Sequence, residues 1–213
     1  MLKAPCPSCG GELIFRSKTS VLCVCEYCRS NVVRRDVNLE LIGKQSDMLE
    51  DMSPLQLGVT GKYKNKRFHI VGRQILAWSD GRWNEWYIVF SDGRDGWISE
   101  AQGEYSILFK PTGKFHLPAT NEIKDLESLN IGKTYYKRTD YKEVECLASE
   151  GELPFQAIEG SRSTVIDFAS RNEEFASIEL EATGGAHVYA GVFTSLGKLS
   201  ISGIRVFDGW GRP

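Results

Sequence analysis

Glu85-Trp86-Tyr87-Ile88-Val89-Phe90 is an almost unbroken apolar run held between two copies of one turn, Ser79-Asp80-Gly81-Arg82 and Ser91-Asp92-Gly93-Arg94. Asp-Gly favours tight hairpins because the central residues of such turns need positive φ. A short run between turns reads as a strand, and its lack of alternation as a strand covered on both faces. Working outward, Arg67–Val71 and Gln74–Trp78 are strand candidates upstream, and Gly96–Ser99 and Tyr105–Phe109 follow downstream. Turns this closely spaced between short strands argue a barrel or a sandwich.

The pattern then recurs. Leu55-x-Leu57-Gly58-x-Thr60 matches Leu129-x-Ile131-Gly132-x-Thr134, and Phe68-x-x-Val71 matches Tyr141-x-x-Val144. Phe90 and Trp97 match Phe168 and Phe175. The expected body is therefore two similar β-units, 55–118 and 129–213 with its tail, joined by a short helix or loop over 119–128.

Five of the six cysteines lie in the first 28 residues. Cys6-Pro7-Ser8-Cys9 and Cys25-Glu26-Tyr27-Cys28 are two CxxC pairs separated by fifteen residues. Each suits a tight turn that aims two sulfurs at one ion, with Gly10 and Gly11 supplying unusual dihedrals. Short strands are expected at Glu12–Arg16, Ser20–Val24 and Asn31–Arg34, with Ser17-Lys18-Thr19 as the turn between the first two. This is the layout of a zinc ribbon over residues 1–36, with Cys6, Cys9, Cys25 and Cys28 as ligands. So small a unit has almost no core, and metal binding supplies its stability. Four thiolates saturate a tetrahedral ion, so the zinc is expected to be structural. Cys23 is the competitor of Cys25, at the cost of a looser CxxxxC pair; Cys146 reads as a small buried residue. Residues 37–54 are a linker, read either as a short helix or as a strand and then a linker, ending at Ser53-Pro54.

With 213 residues, 41% hydrophobic, and a formal net charge of −2, the chain can bury a core and is no polycation of the histone kind. Residues 1–36 carry six Lys and Arg against three Asp and Glu, so the basic charge sits on the ribbon and the body is acidic. No apolar leader precedes Cys6 and no stretch is long and apolar enough to span a membrane. The expectation is a cytoplasmic protein with reduced thiols, where peripheral attachment to a membrane complex remains open.

No catalytic constellation stands out. His69, His116 and His187 lack neighbours at ligand spacing, and no phosphate loop or nucleophile motif has a convincing context. Glu85, Glu100, Glu152, Asp167 and Glu179 lie beside apolar strands. They are read as solvent-facing groups or as hydrogen-bonded strand fixings, rather than as an acid–base pair. Trp78, Trp83, Trp86 and Trp97 are read chiefly as core, with a groove lined by one or two as the alternative. Gly209-Trp210-Gly211 is expected to be exposed. Arg16, Lys18, Arg29, Arg34 and Arg35, with Phe15 and Tyr27 to stack on bases, keep a nucleic-acid reading alive. The leading expectation is a non-enzymatic adaptor with a protein partner; nucleic-acid binding comes second and an enzyme on the β-body third.

Ser53-Pro54-Leu55 with Gly58, Phe68-x-x-Val71-Gly72-Arg73, Trp83-Asn84-Glu85-Trp86-Tyr87-x-x-Phe90-x-Asp92-Gly93 and Trp97-Ile98-x-Glu100 resemble the bacterial domain-of-unknown-function family 4178. Gly151-Glu152-Leu153-Pro154-Phe155, Asp167-Phe168, Glu179 and Tyr189-x-Gly191 extend the resemblance through residue 193. Members often carry an N-terminal zinc ribbon, which Cys6, Cys9, Cys25 and Cys28 match. The resemblance implies an accessory role near the inner membrane, beside membrane-stress components, and supplies no catalytic residues.

Overall fold

The computed structural model describes residues 1–35, 38–44, 51–182 and 184–207. Residues 45–50 of the expected linker and the Gly209-Trp210-Gly211 tail lie outside these.

The ribbon contributes β1 (Leu2–Pro5), β2 (Glu12–Phe15), β3 (Leu22–Val24), β4 (Ser30–Arg35) and β5 (Asn38–Lys44). The first half of the body gives β6 (Thr60–Tyr63), β7 (Lys66–Trp78), β8 (Gly81–Phe90), β9 (Asp95–Ala101) and β10 (Glu104–Phe109). After the single helical turn α1 (Thr120–Ile123), the second half gives β11 (Ser128–Ile131), β12 (Thr134–Leu153), β13 (Arg162–Ala169), β14 (Glu174–Glu181) and β15 (Ala186–Thr194).

β7 to β10 run as one antiparallel meander and β12 to β15 as another. The two join twice, β10 with β15 and β7 with β12, so eight strands close into an antiparallel barrel. β6 and β11 are flaps on the first strand of each half. The body is thus the expected pair of similar units, and a barrel rather than a sandwich. The residue matches keep their faces but not their register: Phe68 pairs with Phe90, whereas Tyr141 pairs with Ile166, two residues short of Phe168. A slip of two preserves which side chains point inward.

The run that opened the reading is covered on both faces. Trp86, Ile88 and Phe90 face outward into a cluster with Phe68, Ile98 and Ile107, sealed by Leu55, Val59, Leu196 and Leu199. Trp83 and Tyr87 face inward with Trp97 and Leu108. A third cluster, around Ile166, Phe168 and Ile178, covers the outside of the second half beneath Ile123 and Leu129. The two Asp-Gly turns differ. Gly93 takes φ +86°, as expected. Gly81 instead opens β8 opposite Trp78, and a Cβ there would lie 2.8 Å from the Trp78 ring. The candidates Arg67–Val71 and Gln74–Trp78 prove to be one strand, β7, continued through a bulge between Ile70 and Gly72.

The ribbon departs from the expected three-stranded sheet. β2 pairs with β1, while β3 joins β4 and, on its other side, the end of β12 through Cys23–Glu152 and Leu22–Leu153. Residues 38–44, the strand alternative for the linker, form β5 on β4. The ribbon's β3, β4 and β5 thereby extend the barrel sheet. Leu22, Val24 and Val33 enter the same cluster as Val71, Tyr87 and Leu153.

Candidate functional site

Both knuckles have one construction. In the first, Gly10 N–H donates to the Cys6 carbonyl and Cys6 N–H to the Gly11 carbonyl; in the second, Arg29 donates to Cys25 and Cys25 to Ser30. Gly10 and Arg29, each four residues after the leading cysteine, take the positive φ such a turn needs, +76° and +58°. Tyr27 lies over Gly11, where a Cβ would fall 2.4 Å from its ring.

These turns bring the Sγ atoms of Cys6, Cys9, Cys25 and Cys28 within 4.8 Å of one another. The Cys6–Cys28 and Cys9–Cys25 separations are 3.8 and 3.7 Å. Tetrahedral sulfurs about 2.3 Å from one ion would stand about 3.8 Å apart, so the donor set fits a metal. The Ser30 hydroxyl, then its backbone N–H, pull the Cys28 thiol down to about 6. Burial raises Cys25 and, against a Gly11 backbone bond, the neighbouring thiols push Cys9 up to about 12. Cys23 stays outside the set: it is buried, with its thiol pushed up to about 12 by burial first and by the Glu152 charge second. Cys146 is buried in the barrel cluster, as expected.

Glu152 binds the ribbon to the barrel. Its carboxylate, 1% exposed at the end of β12, accepts from the backbone N–H of Arg16 and Ser17, from Ser20 Oγ and from the Arg16 guanidinium. Thr19 adds bonds to Tyr87 and Asp95 on the barrel rim. The turn expected to join β2 to β3 is therefore captured by the body, which explains why those strands do not pair. Glu100 has a comparable role outside the barrel, accepting from Ser53, Asn84, Trp86 and Tyr105. Beside it Arg73 stacks 4.5 Å from the Trp86 ring and pairs with Asp51.

The other three carboxylates correct the sequence reading. Glu85, Asp167 and Glu179, from β8, β13 and β14, face the barrel lumen, half-buried, rather than the outer surface or the strand ends. Trp83 Nε1 donates to Glu85 over 2.7 Å and Ser163 Oγ to Glu179 over 3.0 Å. Burial, then the charges of Glu179 and Asp167, push the Glu85 carboxyl up to about 8. Burial also raises Asp167 and Glu179. Beside Glu85 and Asp167 lies a cavity of about 240 Å³ walled by Trp78, Trp83, Phe175 and Phe193. A second opening, of about 570 Å³, reaches Glu179 from the ribbon side between Phe155 and the ribbon's Val21. Gln74, 4% exposed, and Ser106, 5% exposed, stand on these walls without a side-chain hydrogen-bond partner among the described residues. Trp78, Trp83 and Trp97 thus line the lumen, while Trp86 belongs to the outer core.

The signal for the lumen carboxylates was present in the alternation Trp83-x-Glu85-x-Tyr87. On a strand covered on both faces, a carboxylate sharing a face with two aromatics points into the lumen with them. Of the candidate base-stacking rings, Tyr27 is 67% exposed but Phe15 is 1% exposed, with Arg34 over its ring. Arg16 pairs with Glu152 and Arg35 with Glu40. His69 and His116 are exposed, and His187 bonds Glu181. No helix among the described residues is long and apolar enough to cross a membrane.

Among known proteins, a family model described as a domain of unknown function, DUF4178, matches residues 56–195. That span takes in β6 to β15 and leaves the ribbon outside it. No curated protein and no solved structure matches the chain.

Proposed function

The chain belongs to the DUF4178 family of domains of unknown function, and from that premise we propose that it is a non-enzymatic binding protein whose barrel takes a small ligand. The ribbon, stapled by a structural zinc, closes one end of that barrel. The observation that carries this reading is the lumen itself. An eight-stranded barrel is just wide enough to be filled by side chains or to hold one small ligand. This one keeps a cavity of about 240 Å³ with polar groups converging on it.

Zinc is the metal of choice for four soft thiolates in a tetrahedral set, and the six free cysteines fit a reducing, cytoplasmic setting. The adaptor role, with a protein partner and an accessory place at the inner face of a bacterial membrane, is the wider form of this proposal. Met1 and Tyr27, exposed on the ribbon, are its support. A catalytic reading has one observation in its favour, a Glu85 carboxyl poised near neutral pH. The nucleic-acid reading has less behind it, since Phe15 is buried and Arg16 and Arg35 are paired.

The test is a small neutral dye, 1-naphthylamine, added to the full-length, zinc-loaded protein. Saturable fluorescence gain is expected, and Ser99→Trp or Ser177→Trp, which fill the lumen, should abolish it in protein that still melts cooperatively. Dye binding that is absent, or untouched by both variants, would sink the proposal.

A further inference from the structure

We propose that the lumen binds an organic cation, a small ammonium ion with apolar substituents and a hydrogen-bonding group, with Glu85 as counter-charge and Trp78 and Trp83 among its walls. This rests on the lumen being a ligand site and adds the chemistry of the ligand.

Charge comes first. Glu85 and Asp167 line one cavity, Glu179 stands with Glu85 on the adjoining one, and no Lys, Arg or His forms an ion pair with Glu85 among the described residues. The cations nearby serve the other two: Lys142 pairs with Asp140 and acts on Asp167, and His187 bonds Glu181 and acts on Glu179, which leaves Glu85 without one. Glu85 holds its proton near neutral pH, and a guest cation favours the ionised form and releases that proton. Burial raises all three carboxyls, and for Glu85 the charges of the other two add to it, as crowding does.

The walls narrow the choice of cation. Indole faces attract ammonium groups through the ring quadrupole. The protein already uses this device at the cavity edge, where Lys142 Nζ stands 5.3 Å from the Trp78 ring centroid. A metal ion is a poorer guest. Among the described residues, only the four cysteines form a group of three or more ligand atoms within 4.8 Å of one another. The three lumen carboxylates do not form such a group.

Gln74 and Ser106 supply an independent pointer. Buried polar side chains nearly always find a partner. Ser106, 5% exposed, lines the cavity of about 240 Å³, and Gln74, 4% exposed, the opening beside it toward the ribbon; neither has a side-chain hydrogen bond among the described residues. A guest carrying a hydroxyl or amide would satisfy them. A cavity of about 240 Å³ holds a guest of roughly a dozen heavy atoms.

The experiment titrates the full-length, zinc-loaded protein with choline, tetraethylammonium and benzyltrimethylammonium, followed by tryptophan fluorescence and by heat. The uncharged isostere of choline, 3,3-dimethylbutan-1-ol, and calcium chloride are run beside them. At least one ammonium ion should saturate with a Kd below about 1 mM, and the isostere should bind about tenfold more weakly or worse. Glu85→Gln, which keeps the shape and the Trp83 bond, should lose about tenfold or more in affinity for that ion. Equal affinity for choline and its isostere, calcium displacing the ammonium ion, or an unaffected Glu85→Gln would each overturn the proposal. If none of the three ions binds while the neutral dye still enters, the cation is wrong and the lumen remains a ligand site. If the dye is also excluded, both readings fall.

Discussion

Glu85 shows how much one side chain can change a reading. A carboxyl whose folded value is about 8, against an ordinary 4.5, holds a proton in the folded state that the unfolded chain has released across that window. Stability therefore falls as pH rises from about 4.5 to about 8, and the full loss is present above it. Glu85→Gln removes this loss. Its gain in thermal stability should be small near about pH 5 and reach on the order of a few kcal/mol near about pH 8.5. Asp167, Glu179 and Lys142 face the same space, so the difference between protein and variant at each pH is the quantity to compare. A gain that does not grow with pH would show that Glu85 is not held protonated. Retaining such a residue against stability is what binding sites do. The residue type and its alternation were legible in the sequence. The sign of its surroundings was not, because inside and outside of a barrel are defined only once the strands close.

At the scale of elements, the two seams that join the halves have a shared device. Gly72 faces Gly151 across β7 and β12, and an added Cβ at Gly72 would lie 1.7 Å from the Glu152 carbonyl. On the other seam a Cβ at Gly191 would lie 1.7 Å from the Ile107 carbonyl. Backbones can approach this closely only without side chains. Gly191→Ala should therefore cost about 3 kcal/mol or more, or prevent recovery of folded protein, judged by urea unfolding. An alanine tolerated within about 0.5 kcal/mol would mean that the seam relaxes freely. The sequence singled out Gly72, Gly151 and Gly191 within motifs, yet their purpose is a contact between segments far apart along the chain. The strands themselves were largely legible, since period and turn residues are local. The pairing of β2 was not, because Glu152, more than 130 residues away, captures the turn that would have made its hairpin.

The whole molecule is a barrel whose sheet runs on into a ribbon with a four-cysteine set that fits a metal. A ribbon tethered by a loose linker would melt alone when its metal is removed. Here Leu22, Val24 and Val33 share a cluster with barrel residues, and β3 is hydrogen-bonded to β12. Cys9→Ser, or chelation, should remove the metal equivalent seen by elemental analysis and also lower the melting temperature of the barrel, read from tryptophan fluorescence. An unchanged barrel melt, with the metal gone, would show the ribbon to be an independent appendage. The sequence by itself determined the four-cysteine set, the β-class and the two-unit plan, because CxxC spacing, Asp-Gly turns and apolar periodicity act over a few residues. Only the tertiary structure decided that the sheet closes, that three carboxylates meet within it and that the ribbon caps it. Those features depend on which distant strands pair, and strand pairing is a property of the folded chain rather than of any segment.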